Sequence, residues 1–192
     1  LRTPRAAALT TERLYTPPVE SGGMVLRSLD GVEPTVHEDA YVDDDAVVIG
    51  DVTIERNASV WPNTSIRGDS HPIVVGAESN VQDNAVLHED AVLGPRVTVG
   101  HTAIVHAATV EEEALIGMGA IVLDDATIGE GAIVAAGSVV TGGTDVPPGT
   151  LVAGTPAEVV KEVDGDMGAI AADEYVKRGA QYADSSRVVD ED

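Results

Sequence analysis

Three of the five histidines, His88, His101 and His106, fall in one short window of the chain. Neutral imidazole is a ligand for divalent first-row metals, and a three-His set leaves a fourth position open for water, as catalytic zinc requires. There is no cysteine, so disulfides, thiolate metal sites and Cys nucleophiles are excluded. Any metal must be held by His or carboxylate. Whether these three side chains can meet depends on the elements that carry them.

Those elements are set by a period of six. Apolar residues recur at Val36, Val42, Val48, Ile54, Val60 and Ile66, again from Val75 through Val81, Leu87, Leu93 and Val99 to Val105, and again from Val110 to Val146. An amphipathic helix or an ordinary hairpin sheet fits this period badly, whereas the hexapeptide repeat of a parallel β-helix fits it well. Each hexad makes a short strand and a corner, and three make a triangular coil of 18 residues with the apolar position inward. The phase slips forward by three where Gly68-Asp69-Ser70-His71-Pro72 inserts a loop, and back by one between Val105 and Val110. Gly50, Gly76, Gly94, Gly100, Gly117 and Gly129 follow the inward position and are expected where corners need unusual φ/ψ. Small β-branched residues dominate and Phe is absent, which suits tight strands rather than a helical bundle.

On this scaffold the spacing of the histidines has meaning. His106 lies 18 residues, one coil, beyond His88, and each follows an inward residue, Val105 or Leu87, so both point outward on one face. Two imidazoles stacked roughly 5 Å apart can share a metal. His101 lies around a corner and is placed to complete a neighbour's site. The expectation is a homotrimer of prisms with a metal at each seam, bound by His88 and His106 of one subunit and His101 of the next. Asp83, 18 residues before His101, stands beneath it, where a carboxylate can fix the imidazole's orientation and tautomer. Arg67 falls one coil below His88 once the inserted loop is allowed for.

The ordered set Ser59-Val60-Trp61-Pro62, Arg67-Gly68-Asp69, Asn80-Val81-Gln82-Asp83, Val86-Leu87-His88, Gly100-His101-Thr102-Ala103-Ile104-Val105-His106 and Ile116-Gly117-Met118-Gly119-Ala120 resembles the γ-class carbonic anhydrases, from about Val36 to Pro156. The resemblance implies a left-handed parallel β-helix, mainly β, with a C-terminal α-helix. It implies that His88, His101 and His106 bind Zn²⁺, or Fe²⁺ or Co²⁺, and that a metal-bound hydroxide converts CO₂ to bicarbonate. Gln82 then orients that hydroxide, Arg67 and Asp69 form the ion pair at the subunit seam, and Asn80 joins them. Two departures stand out. Val152 occupies a segment where family members often carry Tyr, and only Glu89-Asp90 follow His88 where active members have a long acidic loop that exports protons. Glu89, or His71 on the insertion, is the candidate proton shuttle. The alternatives are a hexapeptide acyltransferase acting on an acyl-CoA and a siderophore-binding-like family member that keeps the metal but has little anhydrase activity.

Composition narrows the setting. In 192 residues, 11 Lys+Arg stand against 33 Asp+Glu, a net charge of −22 that repels nucleic acid and anionic membrane surfaces. At 43% hydrophobic the chain is no disordered acidic polymer, so the charge coats a folded object. Lys161 and Lys177 are the lysines, and the excess of carboxylate reads as adaptation to the salty cytoplasm of a halophilic microbe. No apolar run approaches the roughly 18 residues that span a bilayer, and the N-terminus lacks the order of a signal peptide. Residues 1–23 carry no hexads and read as a disordered leader, 24–156 as the β-helix domain, and 157–192 as a helix and acidic tail. In that last segment Met167, Ile170, Ala171, Glu174, Tyr175, Arg178 and Tyr182 recur at helical spacing, with Asp164 or Asp166 as N-cap.

Overall fold

A computed structural model describes residues 25–163, 166–187 and 189. The leader, Asp164 and most of the acidic tail lie outside these described residues. The chain winds into a parallel β-solenoid of short strands, each hydrogen-bonded to its counterpart one coil away. Two ladders meet in the long strands Val47–Ile54 and Ser65–Val75 to give a 12-stranded sheet, and a third face forms an 8-stranded sheet. As the period predicts, Val48, Val60, Ile66, Val75, Val81, Leu87, Val99, Val105, Val110 and Ile116 are all 0% exposed and stack into one apolar column. The alanines that precede the strands, such as Ala85, Ala103 and Ala120, fill its corners. Small and β-branched side chains suffice because each coil closes tightly on itself.

The glycines act differently from the expectation. Of the six singled out, Gly50 alone has a positive φ, +76°. At Gly76 a Cβ would lie 2.5 Å from the Gly94 carbonyl carbon, and at Gly117 2.5 Å from the Ala136 nitrogen. These glycines let successive coils approach, and the left-handed turn residues are others, among them Asn57, Asn63, Asn84, Thr102 and Asp125. The insertion after Ile66 is also not a detached loop. Residues 65–75 form one 11-residue strand that pairs with Val47–Ile54, the register shifting between Gly50 and Val52. Gly68 pairs with Gly50 and Ile73 with Val52, so residues 69–72 bulge out between the two paired stretches and carry Asp69 and His71 outward.

After the last coil, Thr150–Gly154 turns back into an antiparallel strand, Ala157–Glu162, which the repeat pattern did not announce. The helix Met167–Ser185 then runs along the 8-stranded face. The residues at helical spacing face the sheet only in part, Tyr175 and Tyr182 but not Met167 and Ile170. Met167 and Ile170 are both 61% exposed, while Gly168, Ala172 and Gly179 are buried. A nearly flat sheet admits a helix closely only along its smallest side chains, so at Gly179 an added Cβ would sit 3.3 Å from Tyr41 Cβ. Tyr175 and Tyr182 flank that line and meet Trp61 edge-on at 5.2 and 5.1 Å between ring centroids. Asp166 stands at the N-cap position without a side-chain capping bond.

One cation fastens this helix. Arg96 donates to Glu113 at 2.9 Å, to Glu78 at 3.0 Å, to Asp173 of the helix at 3.0 Å and to the Ala169 carbonyl at 3.4 Å. Hydrogen bonds to Glu113 above all, then to Glu78 and Asp173, raise its already high pKa further. Arg96→Ala would leave three carboxylates facing one another. The expected cost is about 2 kcal/mol, roughly 4–8 °C in melting temperature, with faster proteolysis within 167–185. An unchanged melt and cleavage rate would remove Arg96 from the helix's attachment.

Candidate metal centre

The expected site residues fall on two different corners of the prism. The first corner gathers Arg67, Asp69, His88, Glu89 and His106. Strands Val86–His88 and Ile104–His106 pair with His88 opposite His106, and Arg67 lies opposite His88 one coil below. The two imidazoles stand edge-to-face with centroids 5.0 Å apart. His88 Nε2 lies 3.1 Å from Asp69 Oδ1 and 3.4 Å from Glu89 Oε1, while its Nδ1 faces the Arg67 guanidinium at 3.4 Å. Arg67 also pairs directly with Asp69. Burial pushes the Asp69 carboxyl up, but hydrogen bonds from His88 and Arg67 outweigh it and hold it below the ordinary Asp range.

Glu89 links this corner to the solvent. Its Oε2 is 3.0 Å from Nδ1 of His71, an imidazole 62% exposed. The hydrogen bond raises the His71 pKa above its ordinary value and, against desolvation, lowers that of Glu89.

The second corner carries Asn80, Gln82, Asp83 and His101. Asn80 is fully buried, donates through Nδ2 to Thr98 Oγ1 at 2.9 Å, and accepts from Gln82 Nε2 at 3.0 Å. The Gln82 amide is thereby oriented with its nitrogen committed and its Oε1 left to accept. Asp83 lies one coil below His101, where the Thr102 amide donates to the Asp83 carbonyl, and its carboxylate is 2.9 Å from His101 Nδ1.

Within one chain the three histidines do not converge. Among the described residues the group whose ligand atoms all lie within 4.8 Å is Asp69, His88 and Glu89. Sequence reasoning did not anticipate this, because residue spacing places Asp69 and Glu89 near His88 without saying which way their carboxylates turn. It also missed Asp124, whose Oδ1 is 2.7 Å from His106 Nδ1. The signal was present, since one coil step forward from His106 reaches Leu123-Asp124. Val152 is buried in the core at 2% exposure, and His37 bonds the Asp39 amide in the first coil, far along the chain from the other histidines.

The donor set suits a borderline divalent cation. His101 and His106 each set Nδ1 against a carboxylate, the arrangement that leaves Nε2 with a lone pair for a metal. Among the described residues no helix is long and apolar enough to cross a membrane.

A parallel solenoid of hexapeptides with histidines and carboxylates at its corners is the architecture of the hexapeptide-repeat proteins. The chain matches the family model described as bacterial transferase hexapeptide (six repeats) over residues 33–68 and 107–142. It is 45% identical over 160 residues to a carbonic anhydrase of Geobacillus kaustophilus, a match that covers 79% of this chain and 87% of that protein. It is 41% identical over 100 residues to the mitochondrial gamma carbonic anhydrase 1 of Arabidopsis thaliana, where the match spans 47% of this chain and 36% of the plant protein. The crystal structure of a hexapeptide transferase family protein from Anaplasma phagocytophilum superposes with a TM-score of 0.80 at 41% identity, over 82% of this chain and 98% of that one. The chain belongs to the γ-class carbonic anhydrase family.

Proposed function

We propose that this protein catalyses the reversible hydration of CO₂ to bicarbonate as a homotrimer, at a centre bound by His88 and His106 of one subunit and His101 of the next. The observation that carries the reading is the pair His88 and His106, one coil apart with ring centroids 5.0 Å from each other, while His101 stands on the other corner. A Zn²⁺, Fe²⁺ or Co²⁺ ion there supplies a nucleophile near neutral pH by acidifying water. The chain's own groups do the rest. Gln82, its nitrogen committed to Asn80, presents Oε1 to accept a hydrogen bond from the attacking group and so aims it. Because Gln82 travels with His101, it faces the partner's His88 and His106 across the seam. Arg67 offers positive charge to bicarbonate, and Asp69 holds the guanidinium in place. Stopped-flow CO₂ hydration on protein loaded with Zn²⁺, Co²⁺ or anaerobic Fe²⁺ tests the reading, with a fall to the uncatalysed rate on chelation as the expected result.

Glu89 is the group proposed to carry the proton away, with His71 as its contact to solvent. Glu89→Gln is expected to lower kcat about 10-fold in weak buffer and to recover most of it in concentrated imidazole. A loss that no buffer restores would assign Glu89 to holding the site together instead.

The transferase description of the family model and of the Anaplasma relative supports a second reading, acyl transfer from an acyl-CoA. So does the crystal structure of a putative acetyltransferase from Bacillus cereus, at 38% identity and a TM-score of 0.81 over 85% of this chain and 99% of that one. That reading needs a free imidazole as base and cations for the CoA phosphates. It predicts acetyl-CoA turnover that is indifferent to chelators.

A further inference from the structure

Asp124 enters none of the roles assigned above, yet it makes the shortest of the carboxylate contacts to the candidate ligands, 2.7 Å from His106 Nδ1 against 2.9 Å for Asp83 and His101 and 3.1 Å for Asp69 and His88. Its backbone is fixed on both sides. The Asp125 amide donates to the Ala107 carbonyl one coil below, and the Gly143 amide donates to the Asp124 carbonyl from one coil above. The carboxylate is therefore presented from a rung of the solenoid rather than from a loose loop. In sequence the two acids are disposed oppositely, Asp83 below its histidine and Asp124 above its own, so the imidazoles of the two corners are gripped from opposite ends of the prism.

We propose that Asp124 is a positioning residue for the metal centre. It accepts the Nδ1–H of His106, selects that tautomer before any metal arrives, and leaves the Nε2 lone pair free for the cation. The inference rests on His106 being a ligand. A neutral imidazole can place its proton on either nitrogen, and in water the Nε2–H form, which cannot bind through Nε2, is freely populated. An acceptor at 2.7 Å from Nδ1 removes that alternative and fixes the ring's rotation in the same contact. His88 differs, since its Nδ1 faces the Arg67 guanidinium, a donor, and its Nε2 lies 3.1 Å from Asp69 Oδ1, which keeps its proton on Nε2. Of the two stacked imidazoles, His106 is the one whose carboxylate holds the proton on Nδ1.

The test compares Asp124→Ala and Asp124→Asn in the full chain. Long-range ¹H–¹⁵N correlation on metal-free protein reads the His106 tautomer, and competition with a chelator reads Zn²⁺ affinity. Asp124→Ala is expected to move His106 toward the Nε2–H form and to weaken Zn²⁺ about 10- to 100-fold. Asp124→Asn keeps an acceptor oxygen and is expected to keep the tautomer and most of the affinity. Wild-type affinity and tautomer in Asp124→Ala would overturn the proposal and leave an ordinary surface pair. Affinity lost equally in both variants with the tautomer intact would overturn it too, because charge alone would then be acting. His106→Ala separates the premise from the inference. If that variant binds Zn²⁺ as wild type does, His106 is no ligand; if it does not while Asp124→Ala does, only the positioning role fails.

Discussion

His106→Ala and His101→Ala, each inactive alone, are expected to regain about a quarter of wild-type CO₂ hydration when the two are unfolded together and refolded as mixed trimers. Each single variant should lose hydration by about a thousand-fold or more with its metal, because two imidazoles do not hold the ion in its reactive geometry. The fold should persist, since both side chains point outward while Val105 and Ala103 beside them are 0% exposed. The recovery follows from the two-corner geometry. A subunit lacking His101 still offers intact His88 and His106, and a subunit lacking His106 still offers intact His101. Where the first presents its ligand pair to the second, one seam holds all three histidines. In a closed ring of three, every mixed trimer contains one such seam, and random mixing makes roughly three-quarters of the trimers mixed, so roughly a quarter of all sites are whole. A centre built within one chain could not recover at all. Persistent inactivity of mixed trimers that form normally would therefore reject the shared site. Wild-type trimers that bind their full metal yet hydrate no CO₂ would reject the activity and leave the site standing.

How much of this was readable in residues alone follows from which quantities are one-dimensional. Coil length is one, so the inward column from Val48 to Val146 and the stacking of His88 on His106 were accessible by subtraction. Asp83 under His101 came from the same step of 18. The same arithmetic carried upward from His106 would have reached Asp124, whose contact depends on a side chain reaching back from above Ala107. What was not readable is what depends on clearance between backbones. Gly76 and Gly117 are glycine because the next coil leaves no room for a Cβ, and a pattern search sees only that they follow the inward position. The helix illustrates the same limit. Hydrophobic spacing chose Met167 and Ile170 for its inner face, whereas the flat sheet selects Gly168, Ala172 and Gly179. The stretch from Gly68 to Pro72 reads as a loop because Gly and Pro punctuate it, and residues 69–72 do leave the register, but as a bulge within one strand whose two halves both pair with Val47–Ile54.

The acidic surface leads to the second large effect. In dilute buffer of about 10 mM ionic strength the melting temperature is expected to lie roughly 10 °C below its value in 1 M NaCl, with most of the rise complete by about 0.5 M. The net charge of −22 is unevenly spread, with acids consecutive at Asp43-Asp44-Asp45, Glu111-Glu112-Glu113 and Asp124-Asp125. Neighbouring carboxylates about 6 Å apart repel by roughly 0.7 kcal/mol even at the dielectric constant of water, so a handful of such pairs reaches about 3 kcal/mol. Arg96 answers part of this locally, holding Glu78, Glu113 and Asp173 together. Cations are too few to answer the rest, because Lys and Arg number 11 against 33 acids. Salt shortens the screening length from about 30 Å at 0.01 M to about 3 Å at 1 M, which removes repulsion between coils first and within the acidic runs last. The shape of the curve identifies the cause. Screening saturates, whereas preferential exclusion of salt from the surface keeps adding stability in proportion to concentration and would act on any protein. A melt that is flat across this range would mean that the carboxylates are spaced widely enough not to sense one another, and would withdraw the halophilic reading. A melt that climbs steadily to saturation with sodium sulfate but hardly responds to NaCl would assign the effect to exclusion, leaving the charge to keep neighbouring molecules apart.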